Sequence, residues 1–186
     1  ILERAGLQRG WNVADLGCGS LGHFVFPAAQ MVGGDGRVYA VDIQKQVIHA
    51  IERAAKHDQF WNIIPVWSDI EVLNAARIPS ASLDLTLVIN NLYLAQNREG
   101  LIQEALRLTK ADGRRLFIEW TPGKTLLGPP DSHRLSIEEA RALLQDECLQ
   151  EEELFEAGEF HYGLLYRRRV LHPEAEVVHV SHPIHR

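Results

Sequence analysis

ADLGCGSLGHF, residues 14–24, decides how the rest of the chain is read. Gly17, Gly19 and Gly22 follow a short apolar run, with Asp15 standing before the first of them. A chain gives up side chains in this way where backbone must turn sharply or lie against a ligand. The apolar run reads as a strand over residues 12–16. The residues after the glycines, 22–32, read as a helix, with Pro27 tolerated near its first turn. Strand, glycine loop and helix in that order open a nucleotide-binding α/β unit, and Gly17 to Gly22 fit the GxGxxG spelling of a dinucleotide site. A tight turn alone would also account for the glycines.

The alternation continues outward from this unit. Strands are predicted over residues 37–42, 62–66, 83–89 and 115–120. A helix over 44–56 places Val47, Ile48, Ile51 and Ala55 on one face, and a helix over 97–108 does the same for Leu101, Ala105 and Leu108. The 83–89 run, LDLTLVI, is almost wholly apolar, as suits a central strand covered on both faces. Asp112-Gly113 reads as a turn. A Pro/Gly-rich loop, 121–134, follows, and Ser136 with Glu139 spells a capping box for a helix over 137–147. Residues 151–157 and 161–169 then read as an antiparallel hairpin around Gly158, closing one sheet edge. Residues 172–186 form a tail or, over 176–180, an extra edge strand. The fold class is α/β: a Rossmann-like, doubly wound, mostly parallel sheet with helices on both faces, in one domain over 1–171.

Bulk properties fit that reading. The 186 residues are 46% hydrophobic and 24% charged, with a formal net charge of −6. That balance gives no general pull toward nucleic acid or anionic membrane. No apolar run is long enough to insert across a bilayer. The two cysteines, Cys18 and Cys148, make no disulfide framework and fit a reducing cytoplasm. No signal-peptide pattern opens the sequence, which starts at Ile1 rather than Met. His179, His182 and His185 are interrupted by Pro183 and make no metal-ligand face, so no metal is expected. Oligomeric state is not readable.

In an open parallel sheet, ligands sit beyond the carboxyl ends of the strands, and several polar residues fall there. Asp15 in the mouth of the glycine loop would repel a pyrophosphate. It suits a ligand with a cationic head and no phosphate, and S-adenosylmethionine (AdoMet) is one. Asp42, about 20 residues past the loop, can accept two hydrogen bonds from a ribose diol; a solvated cap for the next helix is the plainer reading. Asp69, after Ser68, can take an adenine amino group, with Ile43 or Ile70 against the ring. Alternatively it caps a helix over 71–76.

Asp15-Leu16-Gly17-Cys18-Gly19, Val38-Tyr39-Ala40-Val41-Asp42, Ser68-Asp69, Leu83-Asp84-Leu85 and Asp112-Gly113 resemble, in order, the motifs of class I AdoMet-dependent methyltransferases. The resemblance covers about residues 11 to 169. It is closest to small-molecule members similar to the ubiquinone/menaquinone-biosynthesis methyltransferases. It implies a seven-stranded sheet with the last strand antiparallel. It also implies that the loop residues Gly17, Cys18 and Gly19 hold the methionine part of AdoMet, Asp42 the ribose, and Asp69, with Ser68 and Ile43 beside it, the adenine. One residue departs from the usual D-x-G-x-G-x-G spelling: Leu21 holds the third glycine position, and the glycine falls at Gly22.

The acceptor is expected over the fourth and fifth strands. Asn90 or Asn91 can bond the methionine amino group through a backbone carbonyl, and Tyr93 can face the acceptor. Asn90-Asn91-Leu92-Tyr93 is not the (N/D)PPY of enzymes that methylate base amino groups. Glu119, Trp120, His133 and Arg134 are further candidates, with His133, His161 and Glu119 as possible bases and Tyr93 and His133 favoured as catalytic. Core packing is the plainer role for Tyr93 and Trp120. Arg167-Arg168-Arg169 alternate faces and make no single basic patch. The expected function is methyl transfer to a small molecule. An RNA or protein methyltransferase, or a module that binds AdoMet without turning it over, are the alternatives.

Overall fold

The computed structural model describes residues 1–123, 128–145 and 149–169. Seven strands form one sheet: β1 (Asn12–Leu16), β2 (Arg37–Asp42), β3 (Ile63–Trp67), β4 (Leu83–Ile89), β5 (Thr109–Trp120), β6 (Leu149–Glu156) and β7 (His161–Arg168). Their order is β3-β2-β1-β4-β5-β7-β6. All pairs from β3 to β5 are parallel, and β7 runs antiparallel to both β5 and β6. The chain grows outward from β1 to β3, then returns to the other side of β1 to begin β4. Loops leaving β1 and β4 therefore diverge, and a crevice opens between them at the carboxyl ends of the strands.

Alternation along each strand feeds two cores. Val13, Leu85, Leu87, Leu116 and Ile118 pack with helices α1 (Val25–Val32) and α2 (Lys45–His57). Ala14, Leu16, Val88 and Phe117 pack on the other face with α3 (Arg98–Leu108) and α4 (Ile137–Leu143). Each fully buried aliphatic side chain contributes about 1.5–3 kcal/mol over leaving it in water. The apolar β4 run is the strand both layers cover. By the same alternation, Asp15 falls on the face of Val13 and is buried there (2% exposed).

Several boundaries differ from the sequence reading, each for a local reason. The first helix begins at Val25, not residue 22, because Gly22 sits at φ +56, outside helical geometry. Asp112-Gly113 does not end a segment: β5 runs through it. The register jumps there from Leu83↔Thr109 to Leu85↔Arg114, so the intervening residues of β5 bulge out. No helix follows Asp69, whose Oδ1 instead accepts from the Glu71 amide at 2.9 Å in a turn. The capping box is present, with the Ser136 hydroxyl accepting from the Glu139 amide and the Glu139 carboxylate from the Ser136 amide, but α4 stops at Leu143. The proposed tail, its strand over 176–180, the three spaced histidines and Cys148 lie outside the described residues.

Candidate active site

The glycine loop turns directly out of β1. Its first two amides, Gly17 and Cys18, both donate to the Val41 carbonyl (2.8 and 3.0 Å), which ties the loop to the end of β2. Gly17, Gly19 and Gly22 all have positive φ. Their surroundings differ. A Cβ at Gly19 would meet nothing within 4 Å, so the loop is open on that side. A Cβ at Gly17 would stand 2.4 Å from the Asn91 amide. A Cβ at Gly22 would collide with Phe26 and Ile51, both 2.8 Å away. Gly22 thus serves the packing of α1 on α2, and the extra residue, Leu21, is carried outward with 70% of its surface exposed. Cys18 is buried, and that burial with the nearby Asp15 and Asp42 charges pushes its thiol well above the usual range. It is no nucleophile.

Two carboxylates meet this loop in different ways. Asp42 is satisfied: Oδ2 accepts from the Gly19 amide (3.2 Å) and Oδ1 from the Gln44 amide (2.9 Å). It joins the glycine loop to the turn at Ile43. Asp15 Oδ1 is buried without a hydrogen-bond partner among the described residues. Burial, then the charge of Asp42, push its carboxyl up to about 7. A buried carboxylate left this way is costly, and a cationic group placed against it would relieve the cost.

The turn after β2 presents Ile43 with 57% of its surface exposed. Trp67 Nε1 donates to the Ile43 carbonyl (2.8 Å), and the Lys45 ammonium lies 4.2 Å from the centre of the Trp67 ring. Beside them is a cleft of about 750 Å³ lined by Ile43, Val66, Trp67, Ser68, Asp69 and Arg77. An apolar side chain and a carboxylate on one cleft suit a flat heteroaromatic ring with an exocyclic donor.

The β4 exit is clamped from three directions. The Asn91 amide donates to the carbonyls of Leu16 (3.0 Å), Gly17 (3.1 Å) and Ile89 (2.7 Å), stitching this exit to the glycine loop. Glu119, buried at the end of β5, accepts from the Leu92 amide (2.8 Å). Burial raises its carboxyl to about 7 against the opposing pull of the loop amides and Arg98. On the third side, the Asn90 side chain meets His161 Nε2 at 3.1 Å. Tyr93 is half-buried against the α3 core, and burial and Glu119 raise its hydroxyl.

Trp120 and His161 face each other across the β5–β7 pairing, with ring centres 4.1 Å apart. Beyond β5, Gly128 and Arg134 lie against Trp120. A Cβ at Gly128 would touch the Trp120 ring, and the Arg134 guanidinium lies 5.5 Å from its centre. Arg134, buried, donates to the carbonyls of Pro129 (3.0 Å) and Thr121 (3.0 Å). His133 precedes Arg134, in a 3-10 turn (Asp131–His133), with its side chain exposed.

Of the residues singled out from sequence, the structure brings Asp15, Gly17, Cys18, Gly19, Asp42 and Asn90 to the crevice between β1 and β4. Ile43, Ser68 and Asp69 line the cleft next to it, Tyr93 stands on the β4 exit, and His133 sits apart in the turn at Asp131–His133. The sequence reading missed the Asn91 side chain as a stitch and Glu119 as the anchor of the β4 exit. A side-chain-free residue at Gly17 is the trace Asn91 leaves in the sequence.

Comparisons with known proteins bear on the family and the fold. Residues 7–160 match the methyltransferase domain family. An AdoMet-dependent methyltransferase from Aquifex aeolicus is similar in structure, with a TM-score of 0.81, 22% identity, and 89% of this chain and 86% of that one covered. So is a protein described as a type 11 methyltransferase from Sulfolobus solfataricus (TM-score 0.67, 25% identity, 92% and 89% covered). An arsenic(III) S-adenosylmethionine methyltransferase from Chlamydomonas reinhardtii also matches (TM-score 0.62, 24% identity, 86% and 64% covered). No curated protein matches in sequence. With the matched span running from the segment before β1 to the residue before β7, the chain belongs to the methyltransferase domain family, as an AdoMet-dependent enzyme.

Proposed function

We propose that this enzyme transfers a methyl group from AdoMet to a small-molecule acceptor, as in the ubiquinone/menaquinone-biosynthesis methyltransferases that its motifs resemble. The observation that carries the small-molecule reading is the cover over Trp120. Gly128 and Arg134 lie against that ring, which stacks on His161, so the chain's own residues pack over Trp120 on the side where the acceptor is proposed to bind. The net charge of −6 also disfavours RNA. The domain is residues 1–171, and the cytoplasm is its proposed compartment.

The residues fit the cofactor. Open space beside Gly19 admits the methionine part along the backbone of Gly17, Cys18 and Gly19. Asp15 supplies negative charge near its cationic end. Asp42 keeps lone pairs for the ribose diol after binding its two amides. Ile43 covers the adenine, with Asp69 and Ser68 at its amino edge, and Asn90 offers its backbone carbonyl to the methionine amino group. Bound AdoMet supplies an electrophilic methyl carbon on a sulfonium, so this chain's contribution is chiefly to position the acceptor in line and exclude water. Tyr93 lies on the acceptor side, and His133 is the second candidate for acting on the acceptor, from the turn at Asp131–His133.

Incubating the protein with AdoMet carrying a labelled methyl group and a cell extract, then separating the extract by size, tests the acceptor class. Label in the fraction below about 1 kDa, absent with Asp42→Ala, supports the proposal. Label in RNA or protein overturns it.

A further inference from the structure

Asn90 carries one of the strained backbones among the described residues. It is a non-glycine residue at φ +55, set directly after β4, where its amide donates to the Ile118 carbonyl at 2.8 Å. A left-handed conformation in a non-glycine residue is strained and persists only where surrounding structure holds it. Asn91 and Glu119 hold the residues after it, as described above. At Asn90 itself the side-chain hold is His161, whose Nε2 lies 3.1 Å from the Asn90 Nδ2. His161 in turn is fixed by stacking on Trp120 at 4.1 Å and by its place opposite Trp120 in the β5–β7 ladder.

The imidazole has the right protonation state for this. Burial, and then the positive charge of Arg134, hold its pKa below the ordinary value. With its proton on Nδ1 a neutral ring accepts at Nε2 from the Asn90 amide, whereas a protonated ring presents a donor there. Asn90 Oδ1, the other end of the amide, is buried without a partner among the described residues. The amide is therefore oriented by His161 and not by a competing bond to its oxygen.

We propose that His161 is a positioning residue: by holding Asn90 in its left-handed conformation it sets the β4 exit against the amino-acid end of the cofactor. The inference rests on the AdoMet site described above. It makes the β6–β7 hairpin a working part of the cofactor site at the opposite side of β5. The role does not include touching the transferred methyl.

The test compares two probes by calorimetry: S-adenosylhomocysteine, which carries the amino-acid end, and 5′-methylthioadenosine, which lacks it. His161→Phe keeps a ring on Trp120 and removes the acceptor. It should bind S-adenosylhomocysteine about 10-fold more weakly and 5′-methylthioadenosine within 2-fold of wild type. His161→Gln, which can again accept from Asn90, should recover most of the loss. Asn90→Gly, free of the strain and of the amide, keeps the test open should His161→Phe fail to fold: it should show the same selective loss, and adding His161→Gln to it should change nothing further. Unchanged S-adenosylhomocysteine binding by His161→Phe, or equal weakening of both probes, would overturn the inference. Wild-type protein that binds neither probe would overturn the cofactor site itself.

Discussion

Asp15 is the residue on which the choice of ligand turned, and its chemistry has a measurable sign. An aspartate titrates near 3.9 in an unfolded chain, and in the fold Asp15 is raised to about 7. The folded state thus holds a proton that the unfolded state has already released. Stability from this group is fully present below about pH 4 and is lost as pH rises toward 7, at about 1.4 kcal/mol per pH unit. Asp15→Asn removes that loss. Its unfolding free energy, from urea denaturation, should match wild type at pH 4 and exceed it by a few kcal/mol at pH 8, while its AdoMet affinity falls. A pH-independent difference would sink this account. Asp15 was legible in the sequence because an acid beside a glycine loop conflicts with a pyrophosphate. Gly22 was less so: its spelling belongs to a ligand loop, and only the packing of Phe26 and Ile51 against it reveals a structural role. Gly22→Ala should therefore lower stability by about 1–3 kcal/mol through overpacking and strain. Leu21→Ala, at an exposed position, should change it by less than about 0.5 kcal/mol; thermal denaturation of both checks the contrast.

At the scale of elements, strands β1, β2 and β4 were readable because apolar runs bounded by polar turns leave few alternatives, and the three strands run over the residues the sequence predicts. The bulge in β5 was not readable, since register is fixed by a partner strand far along the chain. The β4 exit was half readable. Its residues were singled out, but their hold depends on Asn91, Glu119 and His161 meeting from three separate elements. Asn91→Ala strips three backbone carbonyls of their side-chain donor. It should lower the melting temperature by several degrees and weaken AdoMet binding at least 5-fold, whereas a variant that melts lower yet binds normally would confine Asn91 to stability. Glu119 is raised like Asp15, with the same sign. Glu119→Gln keeps an acceptor for the Leu92 amide and should be more stable than wild type at pH 8 but not at pH 4, in the same urea measurement.

Across the whole molecule, the sheet order puts the candidate residues that follow β1, β2, β3 and β4 at one end of the strands, and the switch between β1 and β4 makes the crevice. Alternating strands and helices made the mostly parallel sheet foreseeable, and the residues of 151–169 the antiparallel hairpin at its edge, while the order of the strands came from the structure. The docking of that hairpin was not foreseeable: Tyr162 donates from its hydroxyl to the Leu135 carbonyl (3.0 Å), and Arg141 pairs with Glu151 through both carboxylate oxygens. Such contacts join residues whose spacing carries no local signal. The central claim, that the crevice is an AdoMet site and not a dinucleotide site, is tested most directly by calorimetric titration of wild type and Asp42→Ala with AdoMet and with NADH. The account predicts one-to-one AdoMet binding by wild type, weakened at least 10-fold in Asp42→Ala, and no heat from NADH. Saturable binding of NADH without AdoMet binding, or an Asp42→Ala variant that binds AdoMet as wild type does, would contradict it.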